Sequence, residues 1–259
     1  MAVQAGPGYQ PLFGNAPCYG PCTDASHAEH REYEKRRRLS PTTTGFQELA
    51  DIYLNVQLRG DRREALHFVD RLVGHGHSVA DIQQHVIAAA QREIGRMWEE
   101  SRIGIAQEHM ATAISQLALA QLYRHAQPLP ARGRKVVIAC VEGELHDFPA
   151  RLVADALDLA GYDTRFLGAD VPTGSLINVL EQENPNLLAL SITMPFHAAA
   201  LRRQVKSVRD HTDGRLPIAV GGLACAQLRP ITAEIGPEIL AASAHEMVDA
   251  ANRLFGTSA

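Results

Sequence analysis

Between about Phe46 and His125 the apolar residues recur at three- and four-residue steps, as in Ile82, Val86, Ala89, Ala90, Ile94 and Met97. That period is the signature of amphipathic helices. Polar or glycine-bearing breaks at Gly60-Asp61, Gly74-His75-Gly76-His77 and Arg102-Ile103-Gly104 divide the stretch into four helices, roughly 45–58, 61–74, 78–100 and 105–126, with Ser78 placed to cap the third. Connections this short favour antiparallel neighbours, so the pattern predicts a four-helix bundle over 44–127. A proline-bearing linker follows over 128–134, and beyond it the period changes. Short apolar runs at Lys135–Val141, Thr164–Gly168, Leu187–Thr193, Pro217–Gly222 and Glu238–Ser243 alternate with helical patterns. This is the grammar of a parallel sheet covered by helices, and it predicts a flavodoxin- or Rossmann-like five-stranded α/β domain over 135–259.

Residues 1–43 are rich in Gly and Pro, with Ser, Thr and Asn among them and without apolar periodicity, and read as a flexible extension. Its Cys18-Tyr-Gly-Pro-Cys22 spacing is neither a zinc knuckle nor a redox Cys-x-x-Cys. The chain is 46% hydrophobic and 21% charged, with a formal net charge of -4, which gives no general attraction for nucleic acid. The basic run Lys35–Arg38 is partly balanced by Glu29, Glu32 and Glu34 and reads as a solvated face, so direct sequence-specific DNA binding is not expected. No apolar run approaches the roughly 18 residues of a membrane span. Four cysteines do not form a disulfide framework in a chain of 259 residues, and the expected location is the cytoplasm.

Ligands of open parallel sheets bind at the carboxyl ends of the strands. The first strand is followed there by Glu142-Gly-Glu-Leu-His-Asp-Phe-Pro149. A histidine in such a loop is by itself more often structural, but an imidazole suits a transition metal, and a nearby carboxylate, Asp147 or Glu144, could fix its tautomer through the other ring nitrogen. His75 and His77, by contrast, sit in a helix-ending turn with no carboxylate or cysteine nearby in sequence and read as incidental.

With Glu144-x-His146, Ser191-Ile-Thr193 and Gly221-Gly222 in order, the chain resembles, over residues 45 to 255, the cobalamin-binding domain of methionine synthase, corrinoid methyltransferases, base-off mutases and the regulators CarH, LitR and AerR. The resemblance implies that cobalamin is the cofactor and that His146 supplies the lower cobalt ligand in place of dimethylbenzimidazole. It also implies that the nucleotide tail enters beside Ser191, Thr193, Gly221 and Gly222. Two departures stand out: Glu144 replaces the commoner Asp, and Pro149 replaces a glycine, which would disturb the loop if a positive φ or an amide donor were needed there.

Trp98, nine intervening residues, then Glu108-His109 match the Trp-x9-Glu-His motif of the cobalamin photoreceptors. An indole can wall the upper face of a corrin, and a carboxylate and imidazole can reach the cobalt side. CarH has, just after the tryptophan, a histidine that ligates cobalt after illumination; here that residue is Glu99, so His109 is the substitute candidate for upper coordination. Forty-odd residues rich in glycine and proline cannot form the helix-turn-helix of CarH and LitR. The expectation is therefore an AerR-like, light- or cobalamin-responsive antirepressor, not an enzyme, acting on a separate DNA-binding transcription regulator, with self-association left open. The adenosyl, methyl or hydroxo form is left open. The rival readings are a corrinoid methyl carrier serving separate methyltransferases, and a sensor with a second chromophore such as a bilin.

Overall fold

The computed structural model describes residues 45–256. The extension with its basic run and Cys18 and Cys22 therefore lies outside the described residues. Helix α1 spans Phe46–Leu58 and α2 spans Arg62–Gly74. Helix α3 runs continuously through Val79–Asp81, Ile82–Ile87 and Ala88–Glu99, and α4 spans Ile105–Tyr123. Ser78 caps α3 as expected, its hydroxyl accepting from the Asp81 amide at 3.0 Å. The periodic positions do what periodicity predicts: Tyr53, Val69, Ile82, Val86, Ile87, Ala90, Leu119 and Leu122 interlock as the bundle core. Two details differ from expectation. Helix α4 stops at Tyr123, short of 126, and Ile82–Ile87 has π geometry, a local widening that often marks functional segments.

The α/β part contains strands β1 Lys135–Cys140, β2 Asp163–Phe166, β3 Leu187–Ser191, β4 Ile218–Gly221 and β5 Ile239–Ala241. The covering helices are α5 Phe148–Leu159, α6 Thr173–Glu183, α7 Ala198–Thr212, α8 Arg229–Ile235 and α9 Ala244–Phe255. The strands are parallel in the order β2-β1-β3-β4-β5, the flavodoxin-like winding with its reversal between β1 and β3. Both faces are covered, so β1 and β3 are runs of Val, Ile, Leu and Ala buried almost throughout instead of alternating patterns. Register sets Cys140 beside Ser191, Ser191 beside Gly221 and Gly221 beside Ala241, so the loops leaving β1, β3 and β4 start level at one edge.

Bundle and sheet belong to one compact unit, joined along α5. Phe148, at the start of α5, is buried in the bundle core. Gln83 in the π segment donates to Asp155 at 3.2 Å, Gln116 of α4 donates to Asp147 at 3.2 Å, and the Tyr123 hydroxyl donates to Asp158. Pro149 occupies the first turn of α5, where its missing N–H would have had no helical partner anyway. The disturbance expected from it does not arise. Among the described residues no helix is long and apolar enough to cross a membrane.

Candidate functional site

The loop after β1 turns through Gly143 at φ +87°, a left-handed conformation that favours glycine. The turn drops the Glu144 side chain into the protein, where it is 0% exposed, and leaves the His146 side chain 47% exposed. Glu144 Oε1 accepts from His146 Nδ1 at 2.5 Å and from the His146 amide at 3.0 Å; Oε2 accepts from the Thr193 and Met194 amides, each at 2.8 Å. Burial alone would raise this carboxyl, but the hydrogen bonds outweigh it and hold the pKa down at about 2. Facing a carboxylate that is ionised at any ordinary pH, His146 Nδ1 must carry a proton. Nε2 is then the ring nitrogen left for a ligand bond. The imidazole pKa is raised, first by the hydrogen bond to Glu144 against an opposing burial effect, then by the charges of Glu144 and Glu108.

Glu108, whose charge adds to the raised His146 pKa, stands near the start of α4 of the bundle. At the start of α4, Glu108 Oε2 accepts from His109 Nδ1 at 2.7 Å, and Oε1 accepts from the Thr112 hydroxyl at 2.7 Å. Gln91 donates to that hydroxyl at 2.5 Å, while its own carbonyl accepts from Ser115 at 3.1 Å and from the buried Gln57 at 3.3 Å. A polar string inside the bundle thus ends on Glu108. The His109 ring is 70% exposed, and Trp98, at the end of α3, is 38% exposed rather than in the core where a tryptophan on an apolar helix usually sits.

Glu144, not Asp147, is the carboxylate paired with His146; Asp147 faces Gln116 instead. Ser191 is buried at the end of β3. Thr193, two residues on, has its Oγ1 buried with no hydrogen-bond partner among the described residues. Gly222 has φ +105°, and a Cβ there would stand 2.3 Å from the Ile192 carbonyl oxygen; a Cβ on Gly221 would be 3.0 Å from that of Ala241. Close approach of the chain to itself therefore already demands glycine at 222. Residues that sequence patterning did not single out complete the edge. Leu145, Phe196 and Leu223, from the loops after β1, β3 and β4, are all exposed, and Gln204 of α7 ties the Glu142 amide and the Val171 carbonyl at 3.1 and 2.7 Å. Buried glutamine and exposed loop leucine both run against the usual pattern, but neither carries a motif. His75 and His77 lie elsewhere, His75 bonded to the Arg71 carbonyl and His77 beside the Phe46 ring.

The donor set fits a corrinoid. One imidazole nitrogen is open, an orphaned buried hydroxyl waits at the end of β3, and three apolar side chains at the sheet edge would leave water on contact with a large flat ligand. Among the described residues no group of three or more His, Cys, Asp or Glu forms a metal cage of its own, so His146 could supply only one ligand to a metal held otherwise by its own macrocycle.

Comparison with known proteins places these features in context. The family model described as "B12 binding domain" matches residues 134–249, and a second model of the same description matches residues 49–123. The HTH-type transcriptional repressor CarA of Myxococcus xanthus is 27% identical over 186 residues, 70% of this chain and 61% of CarA, so the chain spans about three fifths of that relative. Dimethylamine corrinoid protein 2 of Methanosarcina mazei is 25% identical over 179 residues, 68% of this chain and 82% of that protein. The structure of Methanosarcina barkeri monomethylamine corrinoid protein shares the fold, with a TM-score of 0.72 at 18% identity over 81% of this chain and 100% of that one.

Proposed function

Because the chain belongs to the B12 binding domain family, we propose that it is a cobalamin-binding, light-responsive regulator that acts through a separate protein partner, a DNA-binding transcription regulator. His146 would supply the lower cobalt ligand through Nε2, and the Glu144 hydrogen bond to Nδ1 supports this by leaving that nitrogen free. Ser191, Thr193, Gly221 and Gly222 border the entry for the nucleotide tail, with Thr193 Oγ1 free to bond it. An alkylcobalamin, when bound, supplies a cobalt–carbon bond that visible light breaks.

The observation that carries the regulatory reading is the Glu108–His109 hydrogen-bonded pair at the start of α4 together with an exposed Trp98 at the end of α3, which we assign to the upper side of the cofactor, where a methyl carrier would be expected to offer apolar cover. Glu108 holds His109 by Nδ1, which leaves Nε2 as a second imidazole nitrogen for upper coordination without any contribution from Glu99. Trp98 walls the same face. A change at His109 would be felt along the string through Thr112, Gln91 and Gln57 into the bundle, whose outer surface would then meet the partner.

The test is absorption spectroscopy of the protein reconstituted with adenosyl-, methyl- and hydroxocobalamin, in the dark and after green light, repeated with His146→Ala and His109→Ala. A base-off, imidazole-ligated dark spectrum lost only in His146→Ala, and a photoproduct lost in His109→Ala, are expected. A base-on wild-type spectrum refutes the His146 assignment. The second reading, a corrinoid methyl carrier, is favoured by the fuller coverage of the dimethylamine corrinoid relative. Methylcobalamin on this protein demethylated by a partner methyltransferase in the dark, with no effect of light on partner binding, would establish it over the regulator.

A further inference from the structure

We propose that Asp170 is a positioning residue for the cobalt-ligating loop, an assignment that rests on His146 being the lower ligand. Asp170 stands in the turn between β2 and α6 with φ +47°, a left-handed conformation uncommon in residues other than glycine, though Asp and Asn tolerate it best. From there it grips the β1 loop at two points. Its Oδ1 accepts the Gly143 N–H at 2.7 Å, and its own amide donates to the Glu144 carbonyl at 2.8 Å. The gripped residues are the hinge, Gly143 at φ +87°, and the carboxylate bearer that holds His146. Both ends of the Gly143–Glu144 segment are therefore fixed by one residue from a neighbouring strand's turn.

A glycine would take the left-handed turn at less cost, so the conformation alone does not call for an aspartate. The carboxylate's contact is the Gly143 amide, and that amide lies at the point where the chain bends to aim Glu144. Removing the carboxylate leaves the other ties between the two turns in place. The Cys140 amide still reaches the Gly168 carbonyl at 3.0 Å, the Leu167 amide the Ile138 carbonyl at 2.8 Å, and Gln204 still bridges Glu142 and Val171. The turn should therefore stay folded while the direction of the Glu144–His146 arm loosens, which separates positioning from general support.

Asp170→Gly removes the acceptor and relieves the left-handed cost at once, whereas Asp170→Asn keeps an Oδ1 acceptor and tolerates the same φ. Wild type and both variants are titrated with hydroxocobalamin, following the base-on and imidazole-ligated spectra, and their ligand-free melting temperatures are measured alongside. The expected result is a roughly tenfold or greater loss of affinity and a visible base-on fraction in Asp170→Gly, at a near wild-type melting temperature, with both affinity and spectrum restored in Asp170→Asn. Wild-type affinity and spectrum in Asp170→Gly overturn the proposal, as does an affinity loss that Asp170→Asn shares or that merely follows a fall in melting temperature. A base-on spectrum in the wild type would overturn the His146 reading and this one with it, so the two failures are told apart by which protein shows them.

Discussion

Replacing Glu144 by glutamine keeps the side chain's size but removes its charge and turns one acceptor oxygen into an NH2 donor. One amide oxygen can still serve the Thr193 and Met194 amides, but the amide NH2 then points at two donors, the His146 amide and the ring Nδ1–H. A carboxyl held at about 2 against 4.5 in the unfolded chain contributes about 3 kcal/mol of stability at neutral pH. Because the folded value is the lower one, that contribution is complete above 4.5 and is lost as the pH falls towards 2. His146 has the opposite sign: its folded pKa is raised, so its share is complete below 6.5 and fades as the pH rises through the folded value. The ligand-free wild type should therefore exceed Glu144→Gln in melting temperature most clearly between these limits, with the excess shrinking on both sides. On the proposed ligation, cobalamin would bind His146 with Nε2 unprotonated, so wild-type affinity for hydroxocobalamin should climb with pH through a midpoint above 6.5 and then level off. In Glu144→Gln the midpoint moves down, and the plateau affinity falls about tenfold to a hundredfold because the ring is no longer oriented. Equilibrium titrations from pH 5 to 9 read both quantities. An unchanged midpoint with an unchanged plateau would refute the role given to Glu144.

Three further outcomes are expected. Gly222→Ala should destabilise the ligand-free protein by at least about 2 kcal/mol in denaturant unfolding, because the new Cβ meets the Ile192 carbonyl oxygen in a backbone conformation alanine resists. Phe148→Ala should cost about 3–5 kcal/mol by the same measurement, since the ring is buried in the bundle core; a loss below about 1 kcal/mol would mean that α5 is not anchored there. Trp98→Ala should cost less ligand-free stability than the about 3–5 kcal/mol of a core aromatic, the residue being 38% exposed, yet weaken cobalamin binding measurably in a fluorescence or spectral titration.

What could be read from the chain was what periodicity encodes. The helix period of residues 46–123 and the buried apolar runs of β1 and β3 are repeated many times over, so the bundle and the doubly covered sheet were legible, and the helix start at Ser78 with them. Single events were not. No residue type announces the π segment at Ile82–Ile87, which carries Gln83 to Asp155 across the joint with α5. Proline 149 looked disruptive because a loop was assumed to continue through it, whereas α5 already begins at Phe148. The choice between Glu144 and Asp147 turned on which way a four-residue loop bends. That direction is set by partners 27 to 62 residues away, Asp170 on Gly143, Thr193 and Met194 on Glu144, and Gln204 on Glu142.

The same long-range ties give the proposed site a mechanical connection to the bundle. His146 is two residues from Phe148, whose ring is locked among bundle side chains, and one residue from Asp147, which is bonded to α4. Glu144, on the other side of His146, is anchored to the end of β3. A displacement of the imidazole therefore has to be taken up either by breaking the hydrogen bonds on Glu144, which are charge-assisted and buried, or by moving the start of α5 against the bundle. The second route gives way first. The contacts there are the partly exposed Gln116–Asp147 and Tyr123–Asp158 hydrogen bonds, a buried bond from the neutral Gln83 amide to Asp155, which keeps its Arg151 partner if that bond breaks, and apolar packing that can slide, whereas the Glu144 carboxylate stripped of its donors would stand uncompensated. On the proposed function, movement at a bound cobalamin would thus be directed along α5 into the bundle, towards α4, the helix that begins with Glu108 and His109.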